Sequence, residues 1–165
     1  MRERSGEMLK AKNIMSRDII TVTPDTEIIR AAQIMLEKHI NGLPVVDKKG
    51  KLVGIVCQSD LVTQQREFPL PSVFNLLGGL IPITPFSEYE KEINKMSAMT
   101  VVQAMTPDPV TVTIESTIEE IATLMIKKGI HTLPVLDHGA LVGVIGKEDV
   151  LRTLLPKTGA SHYTG

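Results

Sequence analysis

Apolar residues recur at helical spacing twice along the chain: Ile28, Ala31, Ala32 and Met35, then Ile118, Ile121, Ala122 and Met125. An apolar stripe of this period predicts amphipathic helices over residues 26–39 and 116–129. Thr26 and Ser116 are N-cap types, and Ser116 with Glu119 has capping-box spacing. Each helix is followed by a short apolar run, "LPVVD" or "LPVLD", a Gly-containing turn and a second run, "KLVGIV" or "ALVGVI". Two such runs joined by a turn predict a β-hairpin. A short strand, "ITVT" or "VTVT", precedes each helix. After each hairpin, Asp60 or Asp149 opens another helix, at the end where the helix dipole favours an acid. The order is β-α-β-β-α both times, an α/β (α+β) fold.

The two halves match residue for residue. An offset of 90 pairs Met15 with Met105, Asp18 with Asp108, Thr21-Val22-Thr23 with Thr111-Val112-Thr113, and Leu43-Pro44-Val45 with Leu133-Pro134-Val135. The second turn is one residue shorter; beyond it the offset is 89 and pairs Leu52-Val53-Gly54 with Leu141-Val142-Gly143 and Asp60 with Asp149. This is a duplication. Neither copy buries much surface alone, so the sheets are expected to pack together about an approximate two-fold axis. The expected boundaries are a first repeat with its lead-in over 1–62, a linker over 63–99, a second repeat over 100–156 and a tail over 157–165. The linker has Pro69, Pro71, Pro82 and Pro85, then "SEYEKEINKMSA", which reads as a polar helix. Its apolar residues around Gly78-Gly79 fit packing against the repeats or a partner surface.

Composition narrows the function. A net charge of −1 over 165 residues gives no basic field for nucleic acid or an anionic membrane. The single cysteine, Cys57, makes no internal disulfide, which fits a cytoplasmic protein. No apolar run reaches spanning length, and the charged start lacks the apolar centre of a signal peptide. The Cys and His residues lack zinc-like spacing, and "GVIGK" lacks the earlier Gly of a P-loop. Cys57 as a nucleophile has no base or oxyanion hole to accompany it, so no enzyme is expected.

The tandem "LPV-hydrophobic-D … LVG" phrases, each followed by an Asp at 60 or 149, resemble a pair of CBS (cystathionine β-synthase) domains, a Bateman module of the stand-alone prokaryotic type. The resemblance covers about two-thirds of the chain. It implies two clefts between the repeats that bind adenosine-containing ligands: AMP, ADP, ATP or S-adenosylmethionine, with or without Mg2+ and with no obligatory cofactor. Carried over, one cleft has Ile55, Cys57, Ser59 and Asp60 with Val110, Ile130, His131 and Thr132. The other has Val144, Gly146 and Asp149, beside Glu148, with Ile20, Ile40, Asn41 and Gly42. A carboxylate there suits the two hydroxyl donors of a ribose, and also suits a helix cap. The family has Ser or Thr where Cys57 and Gly146 stand, so contacts to a phosphate are expected to be thinner. His131 is either a phosphate contact or an exposed loop residue. The resemblance further implies a regulatory role, a homodimer formed through helices and an unknown regulated protein. The competing expectation is a ligand-free dimerisation module with degenerate clefts.

Overall fold

The computed structural model describes residues 8–67 and 99–155. The expected linker helix, the apolar segment around Gly78-Gly79 and the 157–165 tail lie outside the described residues. The chain divides into two compact units, one of Ile20–Pro109 and one of Met1–Ile19 with Val110–Gly165. Its helices are α1 (Ala11–Ile14), α2 (Ile28–Lys38), α3 (Gln58–Glu67), α4 (Val101–Ala104), α5 (Ile118–Lys128) and α6 (Lys147–Arg152). Its strands are β1 (Gly42–Val46), β2 (Leu52–Cys57), β3 (Thr106–Pro107), β4 (Val112–Thr113), β5 (Thr132–Asp137) and β6 (Ala140–Gly146). Among the described residues, each unit holds one three-stranded sheet, ordered β1-β2-β3 or β4-β5-β6. The fold is α+β. Both predicted hairpins form, with Pro44 opposite Ile55 and Pro134 opposite Val144. The "VTVT" strand is the two-residue β4, parallel to β5, and "ITVT" makes a single parallel bridge from Val22 to Val45. The helix α3 runs to Glu67, past the boundary expected at residue 62.

Equivalent positions fill the two cores. Val22, Ala31, Met35, Leu43, Val45 and Val56 are buried together in one unit, and Val112, Ile121, Met125, Leu133, Val135 and Ile145 in the other. The missing pieces come from the lead-ins. Ala11 and Met15 complete the core of the second repeat, and Val101 completes that of the first. The N-terminal lead-in therefore belongs with residues 110–155, and residues 99–109 belong with the first repeat, which differs from the grouping expected from chain order. The backbone accounts for this exchange. Ala11 and Lys12 donate their N–H groups to the carbonyls of Ser116 (2.8 Å) and Ile114 (3.1 Å). Val101 and Val102 do the same to Thr26 (2.8 Å) and Pro24 (2.9 Å). Ser16 then bridges Val144, as Thr106 pairs with Ile55.

The repeated Gly of "LVG" is the seat of the lead-in. A Cβ on Gly143 would lie 2.5 Å from the Met15 sulfur, and one on Gly54 would lie 2.7 Å from the Met105 sulfur. Any larger residue would push these methionines off their strands.

The helix termini differ from the sequence expectation by one residue. The capping box on α5 is formed by Thr117 and Glu120, not by Ser116 and Glu119: Thr117 N–H donates to Glu120 Oε2 (2.8 Å) and Glu120 N–H to Thr117 Oγ1 (3.2 Å). Ser116 Oγ instead accepts from Thr113 N–H (3.2 Å), and Thr26 Oγ1 from Thr23 N–H (3.0 Å). Both hydroxyls close the turn that enters the helix, so they are unavailable as caps. At the C-terminal ends, α5 stops on Gly129 at φ 63° while α2 stops on His39 at φ 53°. A β-carbon makes this left-handed conformation costly.

Two outcomes follow in denaturant unfolding. Gly143→Ala is expected to destabilise the protein by about 1–3 kcal/mol, and a double-mutant cycle with Met15→Ala to show that much of this loss depends on Met15. His39→Gly is expected to stabilise by about 0.5–1 kcal/mol, because strain at the αL position is released.

Candidate functional site

The register of each hairpin brings the predicted residues to one strand end. In the first repeat Gly42 lies opposite Cys57, and β2 runs directly into α3. Gln58 ties the two segments: its N–H donates to the Asn41 carbonyl (2.9 Å) and its side-chain amide to the Ile40 carbonyl (3.1 Å). Asp60 folds back from the first turn of α3, and its Oδ2 accepts the Cys57 N–H at 2.7 Å. The second repeat has the same construction. Thr132 lies opposite Gly146, Lys147 N–H donates to the His131 carbonyl (3.2 Å), and Asp149 Oδ2 accepts the Gly146 N–H at 2.8 Å. Ile40–Gly42 thus sit beside Cys57–Asp60 of their own repeat, and Ile130–Thr132 beside Val144–Asp149. The family resemblance implies a further grouping of these segments across the repeats, separate from this pairing within each repeat.

Both aspartates are helix caps, because each satisfies an N–H orphaned at the strand-to-helix junction. Oδ1 of Asp60 and of Asp149 has no hydrogen-bond partner among the described residues. Both side chains are half-buried. A carboxylate held in this way accepts hydrogen bonds from a diol without having to be reoriented.

The neighbouring residues differ in what they offer. Ser59, Asn41 and His131 are exposed, Val110 is 37% exposed, and Ile20, Ile40, Ile130 and Val144 are half-buried. Ile55 is 7% exposed and bonded on its edge to Thr106, so it is largely a sheet residue. Thr132 is 4% exposed, and Gly42 occupies its place in the first repeat. Gly146 is not enforced by packing: a Cβ there would meet only Asp149 Oδ2, at 3.6 Å. The family's hydroxyl would therefore fit at 146, and its loss alters the chemistry of the site without a packing reason. Glu148 lies 3.9 Å from Arg152, which partly occupies its charge.

Burial, and then the Asp60 charge, push the Cys57 thiol up to about 11. This is the opposite of what a nucleophile needs. Among the described residues, no group of three or more His, Cys, Asp or Glu side chains is placed to hold a metal ion. No helix among them is long and apolar enough to cross a membrane. An open groove of about 700 Å³ at the start of α5 is lined by residues that include Thr117, Glu119, Glu120 and Thr123. It contains none of the predicted site residues, and its acids disfavour phosphate. Sequence reasoning missed the strap residues that hold the site strands, Ser16 against Val144 and Thr106 against Ile55. The pairing of Met15 with Met105 in the repeat alignment was the available signal.

The family model for the CBS domain matches residues 11–67 and 101–156, and the chain belongs to the CBS-domain family. It is 30% identical over 159 residues to the protein MJ1426 of Methanocaldococcus jannaschii, covering 92% of this chain and 94% of that one. The chloroplast protein CBSX2 of Arabidopsis thaliana is 30% identical over 148 residues; these cover 84% of this chain but only 60% of CBSX2. The crystal structure of CBSX2 in complex with AMP superposes with a TM-score of 0.66 at 28% identity, over 88% of this chain and 95% of that one. The CBS domain pair of MJ0100, in complex with 5′-methylthioadenosine and S-adenosyl-L-methionine, superposes with a TM-score of 0.65 at 26% identity, over 89% and 96%.

The raised thiol has a direct consequence. At pH 8, Cys57 of the folded protein is expected to react with iodoacetamide about a hundredfold more slowly than the unfolded chain, following its smaller thiolate fraction. Mass spectrometry of the alkylated protein over time measures this. Equal rates in the two states would show that the thiol is not protected.

Proposed function

We propose that this chain is a regulatory module that binds an adenosine-containing ligand and relays its occupancy to a partner protein. The observation that carries the reading is the duplicated strand end. Each repeat fixes a half-buried carboxylate by one oxygen and, among the described residues, leaves the other without a partner. That oxygen takes the 2′- and 3′-hydroxyls of a ribose as donors. Half-buried Ile40 and Ile130 next to the strand ends offer apolar surface to a base, and the carbonyls nearby offer acceptors for its edge. AMP, methylthioadenosine and S-adenosylmethionine, held by the two structural relatives, share the adenosine that these groups recognise. Cys57 and Gly146 bring no hydroxyl, so the nucleoside carries most of the affinity and added phosphates contribute little. The relay is a population shift: a ligand favours whichever packing of the module it binds better.

The competing reading, a ligand-free dimerisation module, draws weight from the same missing hydroxyls. Dimerisation is compatible with both. Leu36 on α2 is 69% exposed and its counterpart Ile126 on α5 is 82% exposed, with Leu151 of α6 at 59%. Large aliphatic residues repeated at equivalent helix positions fit a second copy of the chain.

A thermal-shift panel of AMP, ATP, methylthioadenosine and S-adenosylmethionine tests the ligand reading. At about 100 times Kd a ligand is expected to add about 2.7 kcal/mol of stability. Asp60→Ala is expected to remove the larger part of the ligand-induced increment and Asp149→Ala the smaller. The increment is the quantity to read, because losing either cap itself costs about 1 kcal/mol. No shift with any of the four at millimolar concentration would favour the ligand-free reading. For assembly, Leu36→Glu with Ile126→Glu is expected to weaken dimerisation at least about tenfold, or about 1.4 kcal/mol, in sedimentation velocity. An unchanged mass distribution would place the dimer surface elsewhere.

A further inference from the structure

We propose that the N-terminal strap, residues 10–16, is a clasp whose seating controls the order of the Val144–Asp149 strand end, and that the charge on Lys10 and Lys12 sets how firmly it is seated. The ammonium groups of Lys10 and Lys12 each reach a different oxygen of Glu115, both at 2.5 Å. These two hydrogen bonds hold the Glu115 carboxyl down at about 2. The repeat alignment gives the clasp no counterpart in the other unit. Thr100 and Val102 stand in place of the lysines, and Asp25, in place of Glu115, accepts from its neighbour Thr23 (2.5 Å). The duplication thus built two straps with the same backbone bonds and charged only one of them.

The clasped strap leads straight to the candidate site of its own unit. Five residues after Lys10, Met15 seats on Gly143. Ser16 and Val144 exchange two backbone hydrogen bonds, Ser16 N–H to Val144 (2.9 Å) and Val144 N–H to Ser16 (3.0 Å). Two residues beyond Val144, Gly146 donates to Asp149. Opening the strap leaves β6 with a free edge, an unpaired Val144 N–H and an empty seat over Gly143, next to the carboxylate. The clasp is exposed, with Lys10, Lys12 and Glu115 side chains 36%, 42% and 52% accessible, so salt and lysine acylation both reach it. By linkage, anything that loosens the strap loosens the strand end, and anything that orders the strand end seats the strap. This deepens the regulatory reading by naming an input to the Asp149 end, but its test needs no ligand, so its failure leaves the ligand reading standing.

Hydrogen exchange read by mass spectrometry on the full chain decides it, comparing wild type, Lys10→Gln with Lys12→Gln, and Lys10→Arg with Lys12→Arg. The Gln variant is expected to speed exchange at least about threefold at residues 11–16 and at 143–149 together, while 101–106 and 54–60 stay unchanged. The Arg variant is expected to match wild type. Raising KCl from about 0.05 to about 0.5 M on the wild type is expected to reproduce the Gln pattern without any mutation. Faster exchange at 11–16 with none at 143–149 would overturn the coupling. No change at 11–16 would overturn the clasp. A uniform rise in all four segments would make the effect a global loss of stability and overturn both.

Discussion

A methionine pressed onto a glycine is the contact on which both halves of this molecule depend. Met15 on Gly143 and Met105 on Gly54 fix where each lead-in lies, and the lead-in supplies the last buried residues of each core. A repeat of some 50 residues cannot enclose a core by itself. Here each repeat is completed by a strap that chain order assigns to the other one. The exchange means that the covalent chain passes twice through the unit of the second repeat and once, as Ile20–Pro109, through that of the first. Neither repeat can lose its strap without exposing the seat beneath it.

The same contact positions the chemistry. The strap residue after each methionine bonds to β2 or β6, two or three residues before the strand hands over to the helix with the aspartate. The aspartate then spends one oxygen on the backbone at that handover. Cap and proposed ligand acceptor are therefore one group. A strand end tied to a strap and closed by a carboxylate holds that carboxylate in place, which is the preorganisation the proposed site needs. Cys57, half-buried and protonated at neutral pH, adjoins the aspartate at this strand end.

Much of this was legible in the chain. The 3.6-residue period of Ile28, Ala31 and Met35 and its copy at 118–125 located both long helices, and the paired apolar runs located both hairpins. Asp60 and Asp149 stood out because the duplication kept them while residue 57 and residue 146 diverged. What could not be read was which lead-in served which repeat. Periodicity reports the face an element buries and not the partner it is buried against, so residues 11–16 looked like a preface to their neighbours in sequence. The N-cap was missed by one place for a related reason. Ser116 and Thr117 are both capping types, and only the turn that Ser116 closes with Thr113 decides between them. The hairpin register adds what the sequence pattern lacks, that within each repeat Ile40–Gly42 adjoin Cys57 and Ile130–Thr132 adjoin Gly146.

The proposed regulatory role rests on the paired aspartate-capped strand ends holding an adenosine ligand. Native mass spectrometry of the full chain, purified without added nucleotide and then titrated with AMP, methylthioadenosine and S-adenosylmethionine, tests it most directly. Mass increments of an adenosine compound are expected on the wild-type protein, and their loss in the Asp60→Ala, Asp149→Ala double variant. A wild-type chain that stays at its bare mass with all three ligands, or a double variant that binds them equally well, would contradict it.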